Sequence, residues 1–228
     1  MKHWSELEGN AVRYAPENAG VRRESPLRGK HLIFLGSSVT LGARAGRISF
    51  ADLIARRDGC TVTKEAVSGT TLTDDGADSY LSRLKRIPYP QADLFLCQLS
   101  TNDAAKDRPL GAAAEGFEEN GFDTATAAGA IESIIAYARR TWRCPVVFYT
   151  SPRFESEKYA AMVALLHGIA AKWDIGVIDL WNDEAFNSLT EEQRALYMAD
   201  EVHPTRAGHL EWLTPRLESE LEERLGVC

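Results

Sequence analysis

Ser38 and His203 are the two side chains best suited to act as a nucleophile and its base, and their neighbours set the terms. Ser38 stands in Gly36-Ser37-Ser38-Val39-Thr40-Leu41-Gly42, directly after the apolar run 31–35. A buried strand ending in a glycine turn presents the next hydroxyl at the carboxyl end of a sheet, where open α/β sheets keep their ligand chemistry. The same serine is also consistent with a plain helix cap. His203 stands in Asp200-Glu201-Val202-His203-Pro204. A carboxylate three residues ahead of an imidazole can fold back onto Nδ1 and fix the tautomer that leaves Nε2 free as a base. A serine hydroxyl needs such a base as it attacks, and an imidazole, which ordinarily titrates near about 6.5, serves at neutral pH. Taken alone, D-x-x-H fits a helix-start histidine equally well, or a metal pair with His209 as a third ligand, though the residues to complete such a shell are not in sight.

Acyl transfer also needs donors for a developing oxyanion. Two further polar turns supply them. Ser68-Gly69-Thr70-Thr71 offers the backbone N–H of Gly69, and Ser100-Thr101-Asn102-Asp103 offers the side-chain amide of Asn102. The N–H of Ser38, at a helix start, is a third candidate. Each has a plain reading of its own: Gly69 relieves a turn, and Asn102 with Asp103 caps a helix.

The elements that must position these groups alternate along the chain. Apolar or β-branched runs at 31–35, 61–67, 93–99, 145–149 and 176–180 are read as five strands. Ser49-Phe50-Ala51-Asp52 has the form of a capping box and predicts a helix to about Asp58-Gly59. Tyr80, Leu81 and Leu84 give a short helical face before Pro88. Thr124 or Thr126 caps a helix with Ile131, Ile134, Ile135, Ala138 and Trp142 on one side. A further helix spans 155–173, and an amphipathic one runs through Leu210, Leu213, Leu217, Leu221 and Leu225. Pro215 inside that run predicts a kink near Glu211 or two shorter helices. Strand–helix alternation predicts a three-layer α/β/α domain with a five-stranded parallel sheet, flavodoxin-like. Residues 1–29 show no sustained period and are read as an arm held through Trp4 and Tyr14, with one domain over 30–228. The long polar segment 104–123 begins beside Asn102 and is read as a substrate-gating loop or a disordered insert.

Composition narrows the partners. The 228 residues are 44% hydrophobic and carry a formal charge of -7, with no dense run of Lys or Arg, which argues against nucleic acid. No stretch suits a secretory signal or a membrane span, so a cytoplasmic protein without membrane insertion is expected. Cys60, Cys97, Cys144 and Cys228 lack metal-site spacing and are read as free thiols, Cys97 in the core and Cys228 exposed and oxidisable. The segment 36–42 lacks the Lys-Ser/Thr ending of a nucleotide-binding loop.

Taken together, these blocks resemble the SGNH hydrolases, or GDSL esterase/lipase family. Gly36-Ser37-Ser38-Val39-Thr40-Leu41-Gly42 is similar to the family's G-D-S-[IV]-T-x-G block, Ser68-Gly69 to its second, Asn102-Asp103 to its third, and Asp200-x-x-His203 to its fifth. Ser37 stands where the family usually has Asp, Ser100 where it has Gly, and the Asn that often precedes the second-block Gly is absent. The resemblance, over about 31–210, implies the flavodoxin-like SGNH fold and a serine hydrolase that cleaves carboxylic esters of small molecules through an acyl-Ser38 intermediate. In that scheme His203 is general base and acid, Asp200 orients it, Ser38, Gly69 and Asn102 form the oxyanion hole, and neither cofactor nor metal takes part. Acetylesterase, lysophospholipase and thioesterase are not separated by these residues. The alternative is a non-catalytic module binding a sugar or anion on the same fold.

Overall fold

The structure, a computed structural model, describes residues 3–226. Five strands form one all-parallel sheet in the order β2-β1-β3-β4-β5: β1 (His31–Gly36), β2 (Thr61–Ala66), β3 (Leu94–Gln98), β4 (Val146–Tyr149) and β5 (Gly176–Ile178). Thus the strand that leads into Ser38 is not at an edge. It pairs with β2 from His31 opposite Thr61 to Gly36 opposite Ala66, and with β3 from Leu32 opposite Leu94.

Between the strands lie α1 (Ser38–Leu41), α2 (Phe50–Asp58), α3 (Tyr80–Leu84), α4 (Thr101–Ala105), α5 (Ala127–Trp142) and α6 (Glu157–Trp173). After β5 come α7 (Glu184–Asn187), α8 (Glu191–Tyr197), a π-helical turn (Gly208–Leu213) and α9 (Thr214–Leu225). Side chains alternate across the sheet, as the strand period requires. Ile33, Leu35, Phe95 and Phe148 pack under α3, α5 and α6, whereas Leu32, Phe34, Leu96 and Tyr149 pack under α2 and α9. Both faces are covered, which is why β1, β3 and β4 read as continuous apolar runs, whereas β2, at the sheet edge, mixes Thr, Lys and Glu with its apolar residues.

The predicted capping box at Ser49 and Asp52 is formed, and Thr126 rather than Thr124 caps α5. Pro215 lacks the N–H that would bond the carbonyl of Glu211, and the helix widens there into the π turn instead of breaking. The two helices α7 and α8, capped by Asp183 and by a box between Thr190 and Gln193, were not expected.

The segment 104–123 is held in place rather than disordered. The Ala114 N–H donates to Glu132 Oε2 (2.7 Å), and Lys172 Nζ donates to the carbonyls of Ala114 and Gly116 and to Glu132 Oε1 (2.6 Å each). The Phe117 ring meets Trp173 edge-on. A carboxylate sealed between α5 and α6 therefore straps the segment to their flank, and among its residues only Ala104 and Ala105, in α4, line the cavity at Ser38.

The arm is held by Asn10, 5% exposed. Its amide donates to the carbonyls of Trp4 and Arg44, its Oδ1 accepts from the Arg206 N–H (2.7 Å), and the Arg206 guanidinium lies over the Trp4 ring. Tyr14 is also buried. Cys60 and Cys97 are buried free thiols and Cys144 is half-buried, while Cys228 lies outside the described residues. Among the described residues no helix is long and apolar enough to cross a membrane.

His209, fully buried in the π turn, accepts the Phe50 N–H at Nδ1 (3.3 Å). Burial, with the charges of Lys64 and His203, pushes it down to about 3. Its folded value thus lies below the ordinary one near about 6.5, so unfolding takes up a proton; the contribution is complete above that value and is lost as pH falls towards 3. Denaturant titration is expected to show about 2 kcal/mol of stability lost from this group between pH 7 and pH 5. A His209→Gln protein, measured alongside, should lack that part of the slope.

Candidate active site

Ser38 is the first residue of α1, immediately past the carboxyl end of β1, and is 6% exposed. The turn that delivers it is tight. A Cβ on Gly36 would lie 1.8 Å from Thr40 Oγ1, so only glycine fits there. Beneath the turn, the Gln98 side chain at the end of β3 places one oxygen among four donors: the N–H groups of Ser37 (3.0 Å) and Thr40 (3.3 Å), and the hydroxyls of Thr40 (2.8 Å) and Ser37 (3.4 Å). Thr40 Oγ1 in turn meets the Tyr149 hydroxyl at 2.7 Å. Ser37, at the family's usual Asp position, is fully buried within this network.

His203 arrives from the other end of the chain. The segment between Met198 and Pro204, which form an isolated bridge, closes on itself with the Ala199 N–H donating to the His203 carbonyl. Inside it, Asp200 Oδ1 accepts from the N–H groups of Val202 (3.0 Å) and His203 (2.9 Å) and lies 2.8 Å from His203 Nδ1. His203 Nε2 lies 2.8 Å from Ser38 Oγ. Burial alone would raise the Asp200 carboxyl, but the hydrogen bonds from the His203 ring and backbone and from Val202 outweigh it and hold it at about 2. It therefore stays ionised throughout the neutral and mildly acidic range and favours the Nδ1–H tautomer. Arg44 Nε stands 3.8 Å from Asp200 Oδ2, the oxygen that lies 3.0 Å from His203 Nδ1.

The remaining predicted residues sit on the adjoining turns. Asn102, in the first turn of α4, lines the cavity with Ser38 and His203; one N–H of its amide donates to the Thr70 carbonyl (2.9 Å), leaving the other for a ligand. Ser100, at the family's usual Gly position, caps α4 by accepting the Asn102 N–H and donates to the same Thr70 carbonyl. Gly69 precedes Thr70 with a φ of 79°, a conformation that favours glycine, and a Cβ there would meet nothing within 4 Å. It borders the site without lining the cavity. Asp103, fully buried, accepts from Leu72 and Thr73 and ties this turn to α4. His209, the third metal-ligand candidate, is turned to Phe50 instead, and no cluster of three His, Cys, Asp or Glu side chains suited to a metal occurs among the described residues.

Two supporting residues escaped the sequence reading. Gln98 is the one polar side chain inside an apolar strand. Arg83, 1% exposed on the apolar face of α3, donates to the carbonyls of Gly36 (2.8 Å) and Glu65 (3.0 Å) and to Thr70 Oγ1 (3.0 Å), joining the Ser38 turn to the Gly69 turn. A polar residue where periodicity demands an apolar one was the available signal in both cases.

The cavity at Ser38 has a volume of about 360 Å³ and is walled by Phe154, Val202 and the alanines of α4. A hydroxyl bonded to an oriented imidazole, beside a free amide N–H and an open cavity, can attack an acyl carbon and shelter the resulting oxyanion.

Known proteins agree with this architecture. A crystal structure of a protein from Lactobacillus plantarum is similar, with 23% identity, a TM-score of 0.71, and 86% of this chain and 98% of that one covered. A protein from Bacteroides ovatus described as a GDSL-like lipase is 15% identical, with a TM-score of 0.64 over 86% of this chain and 99% of its own. The inhibitor-bound aryl esterase of M. smegmatis is 14% identical, with a TM-score of 0.56 over 86% of this chain and all (100%) of its own. No curated protein matches the sequence. The family model for GDSL-like lipases and acylhydrolases matches residues 34–210, from β1 through the loop that carries His203 into the π turn, and the chain belongs to that family.

Proposed function

We propose that the protein hydrolyses carboxylic esters of small molecules through an acyl-Ser38 intermediate. The observation that carries this reading is the 2.8 Å contact between Ser38 Oγ and His203 Nε2, with Asp200 on the opposite ring nitrogen, at the floor of an open cavity. Membership of an acylhydrolase family supports it, as does the likeness in fold to an aryl esterase.

In this mechanism Ser38 Oγ bonds to the ester carbonyl carbon as its proton passes to His203 Nε2. Negative charge gathers on the carbonyl oxygen, where the N–H groups of Ser38 and Gly69 and the free N–H of the Asn102 amide receive it. The imidazolium, opposite the ionised Asp200, returns the proton to the leaving alcohol oxygen as the carbon–oxygen bond breaks. Water then enters; His203 takes its proton, the hydroxide bonds to the acyl carbon, and Ser38 leaves with a proton from His203 as the carboxylic acid is released.

A fluorophosphonate probe is expected to label Ser38 covalently, and a Ser38→Ala protein should lose both labelling and turnover of 4-nitrophenyl acetate while melting as the native protein does. Turnover by Ser38→Ala at the native rate refutes the proposal, and absence of labelling in the native protein favours the non-catalytic binding module. Asn102→Ala should lower kcat by on the order of a hundredfold with little change in KM, as measured by steady-state kinetics.

A further inference from the structure

The cavity at Ser38 does not end at the catalytic groups. It shares Phe154, Glu155 and Glu201 with a second cavity of about 370 Å³, to which Arg153, Trp181 and Arg194 are added. Arg153 and Arg194 also line a third cavity of about 370 Å³, beside Asn187 and Ser188. The three form one groove, running from the nucleophile to the two helices that follow β5.

Three side chains at the far end keep N–H groups without an acceptor among the described residues. Arg153 Nε donates to the Trp181 carbonyl (3.0 Å), which orients the guanidinium, but neither its Nη groups nor any side-chain N–H of Arg194 has a partner among the described residues. Both arginines are exposed, and neither lies within ion-pair distance of Glu155, Glu184 or Glu201, although these carboxylates line the same cavities. Trp181 provides the independent sign. It is only 7% exposed, fixed by rings of Phe154 and Tyr159 and by its own N–H bond to Thr150, yet its indole N–H has no acceptor among the described residues. On the wall of the second cavity, that N–H can donate to a ligand seated there. Two guanidinium forks beside it suit a planar or tetrahedral oxyanion, which each can grip through parallel N–H bonds.

We infer that the esters accepted at Ser38 carry an anionic group, carboxylate or phosphate, which Arg153 and Arg194 hold at the far end of the groove with the Trp181 N–H as a further donor. This rests on the ester-hydrolase reading and names the substrate class within it. Glu155 and Glu201 line the middle of the groove, where the substrate is uncharged, and repel an anion seated short of the arginines. Phe154 supplies the apolar wall of that middle section.

Matched ester pairs test this. On the acyl side, 4-nitrophenyl butyrate is compared with the 4-nitrophenyl monoester of glutarate; on the alcohol side, acetylated glycerol is compared with acetylated glycerol phosphate. The anionic member of at least one pair is expected to show a kcat/KM at least tenfold above its neutral partner, and which pair responds tells carboxylate from phosphate. In R153Q/R194Q that ratio should fall at least tenfold. Ratios near one in both pairs, or a ratio unmoved by the double substitution, overturn the inference. Calorimetric titration of the preferred anionic ester, or of both if none is turned over, into Ser38→Ala reads the anion site without chemistry. A Kd at least tenfold weaker when R153Q/R194Q is added supports the inference even if the native protein hydrolyses nothing, whereas an unchanged Kd overturns it even if the neutral esters are hydrolysed.

Discussion

The structure turns on one hydrogen bond between groups that enter at opposite ends of the polypeptide, Ser38 Oγ and His203 Nε2. A bond of this kind tolerates little displacement, because it weakens steeply with angle and distance. The parallel sheet meets that demand by placing β1 between β2 and β3, so the Ser38 turn is braced on both sides. Opposite it, the 198–204 segment closes on its own backbone and on Asp200, so the imidazole is set by local bonds before it meets the serine.

Below Ser38 the packing is polar where a sheet of this kind is otherwise apolar. The oxygen of Gln98 gathers two backbone and two hydroxyl donors, and Arg83 gathers the carbonyls that end β1 and β2. Buried groups shared among several partners are stiff, since moving one leaves those partners unsatisfied in a low-dielectric interior. The Arg83 guanidinium is set over the Tyr80 ring with the Glu65 carboxylate alongside.

Much of this was legible from the chain alone, and what was legible shares a cause. The five strands, the Ser49 and Thr126 caps, and the Ser38, Asn102, Asp200 and His203 turns are each specified within a few neighbouring residues. What stayed hidden depends on partners far apart in sequence. Segment 104–123 resembles a lid until Glu132 and Lys172, on two different helices, are seen to hold it down. Arg83 looks like a surface charge until the ends of β1 and β2 close over it. Gln98 and the Thr190 box of α8 were visible signals of a local kind that were not used. Gly69 was assigned correctly to a turn, but the empty space around its Cβ position shows that its positive φ, rather than crowding, asks for glycine.

The N-terminal arm bears on the order in which the molecule comes together. Asn10 bridges the carbonyl of Arg44 and the N–H of Arg206, so the arm completes its docking only after a segment 196 residues further along the chain has been made. Contacts of such long sequence separation close slowly, because the intervening chain must already be organised. During synthesis the sheet can therefore assemble around β1 while the arm stays undocked until the segment that carries Arg206 has emerged.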